Sequence, residues 1–265
     1  MAKAIFFDID GTLINCFKGL MDLTPKVKEA IRDLQARGHY VFIATGRPYA
    51  FLSEAILNFG FDGFVLNNGA QVIINNETLY TESINKAFVQ CAIEEFEKLD
   101  IQYILEDAYY SYMKEEYEAF YNFYESLGIS RKLIKGKYEL EDINVQKMEV
   151  RCPDKEAEEK CLNFIQQYPE YDYWHSVHHM SFEIYPRSNT KAKGILRVLE
   201  HLNIPLEESY AFGDGKNDIE MLETVGCGIA MGNALDEVKQ YANEITDTVD
   251  HDGVATGIKK YILCE

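Results

Sequence analysis

Short polar segments follow several apolar runs of this 265-residue sequence, at the point where each run ends. The residues concerned are Asp8 and Asp10, Thr45 with Gly46 and Arg47, Asn67 and Asn68, and Asp214, Asn217 and Asp218. If the aspartates share one partly dry cleft, their mutual repulsion is severe unless a cation lies among them. Because oxygen ligands favour a hard divalent ion, we expect Mg2+ at this position.

A simpler interpretation is that Asp and Gly at strand ends are ordinary turn formers. For Asp10 and Gly11 alone, that interpretation is as good as a functional one. It explains the whole set poorly, because turn chemistry does not require Asp-x-Asp, Thr-Gly-Arg, a Lys-Gly helix start and Asp-x-x-x-Asp to occur in one order.

Strand and helix patterns alternate at both ends of the chain. Strands are predicted at 3–8, 40–45, 64–67, 209–213 and 227–231, and helices between Thr24 and Gly38 and at 48–58, 191–202, 217–224, 234–241 and near 252–262. This order predicts an α/β fold with a doubly wound parallel sheet. In such sheets ligands bind outside the carboxyl ends of the strands, which is where the polar residues lie.

The middle of the chain has a different order of predicted helices and strands. Helices are predicted at about 85–99, 115–127 and 154–167, and short strands around Tyr103, Tyr109 to Met113, Met148 to Cys152 and Phe182 to Tyr185. We therefore expect a discontinuous core, residues 1–82 and 187–265, that is interrupted by an inserted α+β domain, residues 83–186.

The formal net charge of −18 excludes some partners and poses a problem for others. Nucleic acid is not expected, because backbone binding needs clustered Lys and Arg. No run approaches the ~18 apolar residues of a membrane span, and no signal peptide is recognisable, so we expect a cytoplasmic protein without a membrane partner. An anionic ligand would need local positive charge at its site. Nothing in the sequence indicates an oligomeric state.

The polar segments also resemble a known family. Asp8-Ile9-Asp10-Gly11-Thr12-Leu13, Ala44-Thr45-Gly46-Arg47, Lys193-Gly194 and Gly213-Asp214-Gly215-Lys216-Asn217-Asp218 are similar to the four ordered motifs of the haloacid dehalogenase superfamily. Asn67-Asn68-Gly69-Ala70, Ala230-Met231-Gly232-Asn233-Ala234 and Asp252-Gly253-Val254-Ala255 resemble secondary signatures of its Cof-like phosphatases. The resemblance covers the core and implies a Rossmann-like fold with a large α+β (type IIB) cap.

The resemblance implies a role for each carboxylate. Asp8 would attack phosphorus and become an aspartyl-phosphate. Asp10 would protonate the leaving oxygen and then take a proton from water. Asp8, the backbone carbonyl of Asp10, and Asp214 would bind Mg2+, with Asp218 close behind as a more distant ligand or as a partner for Lys193.

The same resemblance implies a phosphate site. Thr45, the backbone of Gly46, and Lys193 would hold the transferring oxygens, with Arg47 and Asn217 helping. These groups would supply the local positive charge that an acidic protein needs. Arg47 could instead pair with a surface carboxylate.

Two lysines compete for the role of the phosphate-binding ammonium. Lys191 and Lys193 both lie at the start of one predicted helix, and either could be an ordinary solvated residue. We favour Lys193, because it directly precedes Gly194 as in the family pattern.

The inserted domain carries weaker signals. His175, His178 and His179 could suggest a metal site, but a solvated loop is favoured, because no further ligand stands at a suitable spacing. Tyr117, Tyr121 and Tyr124 recur at helical spacing, which favours packing over a ligand pocket.

The expected function is hydrolysis of a small phosphorylated metabolite, such as a sugar phosphate, by a Mg2+-dependent phosphatase. A phosphosugar mutase is an alternative, since the same motifs could return the phosphoryl group to sugar. A receiver or metabolite sensor is a further alternative, but receivers lack the general acid two residues after the nucleophile. Closure of the inserted domain would exclude water and read the organic part of the substrate.

Overall fold

The computed structural model of the chain describes residues 1–176 and 179–264, without the side chain of Phe17. It divides into two compact units. The first contains residues 1–46, 53–80 and 190–265, and the second contains residues 47–52 and 81–189.

The first part of the chain builds one side of a sheet. It contains β1 (Ala4–Phe7), α1 (Pro25–Ala36), β2 (Tyr40–Ala44), α2 (Glu54–Asn58), β3 (Gly63–Leu66), β4 (Gln71–Ile74) and β5 (Glu77–Thr81). Thr24 begins α1 as predicted, since its side chain accepts a hydrogen bond from the N–H of Val27. Pro25 follows at the first helical position, where its missing N–H costs nothing.

The middle of the chain forms the second unit. It contains α3 (Lys86–Lys98), β6 (Gln102–Glu106), β7 (Ser111–Tyr112), α4 (Glu118–Ser126), β8 (Ile134–Lys135), β9 (Lys147–Arg151), α5 (Lys155–Ile165), β10 (Tyr171–Ser176) and β11 (Ser181–Pro186). In the described residues its strands form one sheet in the order β10-β11-β9-β6-β7-β8. A buried cluster that includes Phe88 and Phe96 of α3 and Phe182 of β11 forms the main core of this unit.

The last part of the chain completes the first unit. It contains α6 (Lys191–Leu202), β12 (Ser209–Gly213), α7 (Ile219–Thr224), β13 (Cys227–Ala230), α8 (Asp236–Lys239), β14 (Glu244–Ile245), α9 (Gly253–Gly257) and a π-helical segment, Ile258–Leu263. The sheet order in the described chain is β14-β13-β12-β1-β2-β3-β4-β5. The strands from β14 to β3 run parallel. This confirms the predicted fold class, an α/β core with an inserted α+β unit.

The β4–β5 hairpin was not predicted. Its turn residues Asn75 and Asn76 both have positive φ angles, 51° and 66°, which asparagine tolerates better than most residues. The apolar run from Val72 to Ile74 followed by two asparagines was the signal that could have identified it.

The predicted helix at 48–58 is wrong in its first half. Residues Tyr49–Phe51 form only a short 3₁₀ turn, and Ser53 begins a separate helix by accepting a hydrogen bond from the N–H of Ile56. Segment 47–52 also groups with the second unit rather than with the core. The reason is packing, because Phe51 contacts Tyr124, with 4.6 Å between their ring centroids.

His175 is part of a strand and not of the predicted loop. His175 lies in β10, where its Nε2 is 2.8 Å from Oε1 of Glu158 and its ring stacks on Phe182. The predicted solvated loop is therefore wrong for this residue, while His178 lies outside the described residues. Tyr121 and Tyr124 are buried in α4, which confirms that they serve packing.

None of the helices in the described ranges is long and apolar enough to cross a membrane.

Candidate active site

Neighbouring parallel strands bring Asp8 and Asp214 to the same edge of the core sheet. Asp8 directly follows β1 and Asp214 directly follows β12, and these strands pair in register, with Phe7 opposite Phe212. The N–H of Asp8 donates to the carbonyl of Phe212 over 3.0 Å. Carboxylate oxygens of Asp8, Asp214 and Asp218 all lie within 4.8 Å of one another.

A buried lysine lies between two of these carboxylates. Nζ of Lys191 is 2.6 Å from Oδ1 of Asp8 and 2.6 Å from Oδ1 of Asp218, and only 1% of the lysine is exposed. Burial lowers the pKa of Lys191, but Asp218 and Asp8 together outweigh burial and raise the pKa above its usual value. The ammonium is therefore charged at neutral pH.

The preference for Lys193 is corrected by this geometry. Lys193 is exposed, and its backbone N–H donates to Oγ1 of Thr190, which begins α6. Residues two apart on a helix point in directions that differ by roughly 200°, so Lys191 and Lys193 cannot face the same site. Gly194 has a packing role of its own, because a Cβ atom at this position would lie 2.4 Å from Cγ1 of Val65. It therefore does not mark the residue before it as the functional lysine.

The sequence did contain a signal for Lys191. Ile195, Val198 and Leu199 are the buried face of α6, and Lys191 precedes them at the i, i+4, i+7, i+8 spacing of one helical stripe. A lysine that continues an apolar stripe at a helix start is placed to point inward with it.

The site carries more negative than positive charge. Burial raises the pKa of Asp8 well above its usual value, and Asp218 adds to this, while Lys191 opposes it. Burial, followed by repulsion from Asp218, raises the pKa of Asp214 from 3.8 to about 6. A hard divalent cation among these oxygens would relieve the repulsion, so the donor set fits such an ion.

Asp218 is already engaged by protein donors. Its Oδ2 accepts from the N–H groups of Asp214 and Gly215 over 2.9 and 2.8 Å, and its Oδ1 accepts from Lys191. It therefore fixes the loop after β12 and orients the lysine. Asp8 and Asp214 are better placed than Asp218 to bind a cation directly.

Three residues surround the Asp214 carboxylate. Oγ1 of Thr12 donates to its Oδ1 over 3.1 Å, and Nδ2 of Asn233 donates to its Oδ2 over 3.2 Å. Gly11 has a φ of +86°, and a Cβ atom there would lie 2.1 Å from Oδ2 of Asp214. No role was predicted for Thr12 and Asn233, because their contacts with Asp214 join distant segments and are not visible in local patterns.

The predicted phosphate-binding residues are only partly brought together. Thr45 is buried directly after β2, and its N–H donates to the carbonyl of Val65. A Cβ atom on Gly46 would lie 3.1 Å from Oδ1 of Asn68 and 3.6 Å from Nδ2 of Asn217, and Asn217 donates to Asn68 over 3.3 Å. Asn68 is thus a further polar residue beside Gly46.

Two further predicted site residues, Asp10 and Arg47, have surroundings that differ from those of the residues above. Asp10 is exposed and contributes to the raised pKa values of Asp8 and Asp214, so it lies within electrostatic reach of both. Arg47 belongs to the second unit, and its Nη1 donates to the carbonyl of Phe51 over 3.1 Å.

A family model described as haloacid dehalogenase-like hydrolase matches residues 5–258. The chain belongs to the haloacid dehalogenase-like hydrolases. YkrA of Bacillus subtilis (strain 168) is 32% identical over 269 residues, which are 98% of this chain and 97% of the relative. The 5-amino-6-(5-phospho-D-ribitylamino)uracil phosphatase YitU of the same organism is 30% identical over 269 residues, which are 97% of this chain and 96% of that relative.

A solved structure agrees with the family assignment. The subclass IIB sugar phosphatase BT4131 of this superfamily superposes with a TM-score of 0.82 at 30% identity, covering 98% of this chain and 99% of its own. The resemblance to Cof-like phosphatases is thereby confirmed, and the chain is a phosphatase of this family.

Proposed function

We propose that this phosphatase hydrolyses small phosphorylated metabolites, such as sugar phosphates, in a Mg2+-dependent reaction that passes through an aspartyl-phosphate on Asp8. The observation that carries the proposal is the buried ammonium of Lys191, 2.6 Å from Asp8, beside the carboxylate of Asp214. A buried carboxylate, a second carboxylate near it and a fixed positive charge at one strand edge support the proposal, since they suit a nucleophile, a cation ligand and a phosphate-binding group.

In the first step, a carboxylate oxygen of Asp8 forms a bond to phosphorus and the bond from phosphorus to the ester oxygen breaks. Oδ1 of Asp8 is held by Lys191, so Oδ2 is the oxygen that we assign to the attack. Asp10 gives its proton to the leaving oxygen. Its exposed position beside the nucleophile suits a group that exchanges protons with water.

In the second step, a water molecule attacks phosphorus and transfers a proton to Asp10. The bond between Asp8 and phosphorus breaks, which releases phosphate and restores both carboxyl groups. Thr45, the backbone of Gly46, and Asn217 are assigned to the phosphoryl oxygens. We assign to Lys191 the role that was predicted for Lys193, which is to hold the transferring oxygens.

Bound by Asp8, Asp214 and the backbone carbonyl of Asp10, Mg2+ would supply positive charge to offset that of the phosphoryl oxygens. The fit rests on an all-oxygen donor set in which burial and mutual repulsion raise the pKa values of Asp8 and Asp214. Asp218 remains engaged by backbone N–H groups and Lys191.

The substrate class is supported by two relatives. YitU is a phosphatase of the phosphate ester of a ribityl group, and BT4131 is a sugar phosphatase. We therefore assign phosphate monoesters of sugars or sugar alcohols as the first compounds to test.

The test is release of inorganic phosphate from a panel of such esters, with and without Mg2+. We expect turnover that requires Mg2+ and is lost in Asp8→Asn, which keeps the shape of the side chain but removes the nucleophilic charge. Unchanged turnover in Asp8→Asn would contradict the mechanism. Accumulation of an isomerised phosphosugar, with no free phosphate, would instead favour the mutase.

A further inference from the structure

Asn233 connects three separate segments of the core. It lies between β13 and α8, and its Nδ2 donates to the carbonyl of Gly11 over 2.8 Å and to Oδ2 of Asp214 over 3.2 Å. Its Oδ1 accepts from the N–H of Val249 over 2.8 Å. One exposed amide thus links the loop after β1, the loop after β12 and the segment after β14.

These bonds fix which way the amide faces. If the amide were flipped, its oxygen would face the Gly11 carbonyl and the Asp214 carboxylate, while its NH2 group would face the N–H of Val249. Like groups would then meet at every contact, so the network permits one orientation only. The NH2 group is therefore held towards Asp214.

The Asp214 carboxylate is held from both sides as a result. Thr12 donates to Oδ1 and Asn233 donates to Oδ2, so the carboxylate cannot rotate without losing a hydrogen bond. The two donors thus fix the direction in which the carboxylate oxygens face.

We propose that Asn233 is a positioning residue that keeps Asp214 oriented for cation binding and ties that orientation to the loop that follows the nucleophile. This inference rests on the proposed function, because it assumes a divalent cation at Asp8 and Asp214. Partners that orient metal ligands typically change metal affinity by about 10- to 100-fold. Since Asn233 is exposed, we expect about 10-fold.

The test compares Asn233→Ala with Asn243→Ala. Oδ1 of Asn243 accepts from the N–H of Gly228 over 2.7 Å, so the control also removes an exposed asparagine that bonds to backbone, but at a different place in the core. Binding of Mn2+ alone to each substrate-free protein is measured by electron paramagnetic resonance. Urea unfolding of each variant shows how much stability the substitution costs.

We expect Asn233→Ala to bind Mn2+ about 10-fold more weakly than wild type, and Asn243→Ala to bind it as wild type does. The Mg2+ concentration for half-maximal turnover should rise by the same factor in Asn233→Ala, while kcat at saturating Mg2+ stays within a few-fold of wild type. If Asn233→Ala does not fold, Asn233→Ser replaces it, because serine is too short to reach Asp214.

Wild-type Mn2+ affinity in the Asn233 variant would overturn the inference and leave the proposed function intact. Equal losses of affinity in the two asparagine variants would also overturn it, since general destabilisation would then explain the effect. If wild type itself bound no Mn2+, the proposed function would fail, and the inference with it.

Discussion

Replacing Lys191 by methionine removes the ammonium but keeps most of the apolar length of the side chain. The lysine makes two charge-assisted hydrogen bonds of 2.6 Å, to Asp8 and Asp218, in a position that is 1% exposed. Such bonds contribute about 1.5–3 kcal/mol each. Removing one partner from a buried charge network costs about 3–5 kcal/mol of stability, because the remaining charges are left uncompensated.

The effect on catalysis follows from the same geometry. Loss of one fixed group that stabilises developing charge lowers kcat by about 100- to 1,000-fold. We expect the kcat of Lys191→Met at saturating Mg2+ to be lower than that of wild type by this factor. The variant should also unfold at a lower urea concentration than wild type. Loss of the Lys191 ammonium would also raise the pKa of Asp8 further, because the positive charge that opposes its protonation is gone.

Lys193→Met is the matched control, since Lys193 lies on the exposed side of the same helix. It should keep wild-type kcat within a few-fold and unfold at nearly the wild-type urea concentration. The reasoning is refuted if Lys191→Met retains wild-type turnover, or if Lys193→Met loses as much as Lys191→Met does.

Two further perturbations follow from the structure. Gly11→Ala should lose cation binding and turnover, because the new Cβ atom would lie 2.1 Å from Oδ2 of Asp214. Gly19→Ala is the control: its φ is +78° but no heavy atom lies within 4 Å of its Cβ position, so it should lose stability and keep its turnover. Equal turnover in the two variants would contradict the proposed role of the contact between Gly11 and Asp214. Burial, with repulsion from Glu183, raises the pKa of Glu149 from 4.5 to about 7, so the folded state binds this proton more tightly and stability falls as pH rises between these values. Glu149→Gln should therefore be more stable than wild type at about pH 8, by about 1–2 kcal/mol after allowing for partial exposure; identical urea curves at that pH would argue against it.

Local signals were enough to predict most of the core. Helix α6 and strand β12 have the predicted bounds, 191–202 and 209–213, because the side chain of Thr190 begins the helix and Asn203, at a positive φ of 52°, ends it. The aspartates were identified because Asp8 and Asp214 follow apolar strands directly. A motif at a strand end needs little tertiary information to be located.

Two differences between the prediction and the structure come from distant contacts. Segment 47–52 was assigned to the core, but Phe51 packs against Tyr124, more than seventy residues away in the sequence. Asn233 went without a role because its partners, Gly11, Asp214 and Val249, come from other segments. The lysine error differs, since the apolar stripe of α6 already indicated Lys191.

The identity of the nucleophile can be tested by trapping the covalent intermediate. Turnover of an active phosphomonoester is stopped in acid, the protein is treated with borohydride, and its peptides are analysed by mass spectrometry. Borohydride reduces an acyl phosphate, so we predict conversion of Asp8 to homoserine in wild type and in Lys193→Met, and none without substrate. Conversion at another aspartate, or unmodified Asp8 during rapid steady turnover, would contradict the assignment.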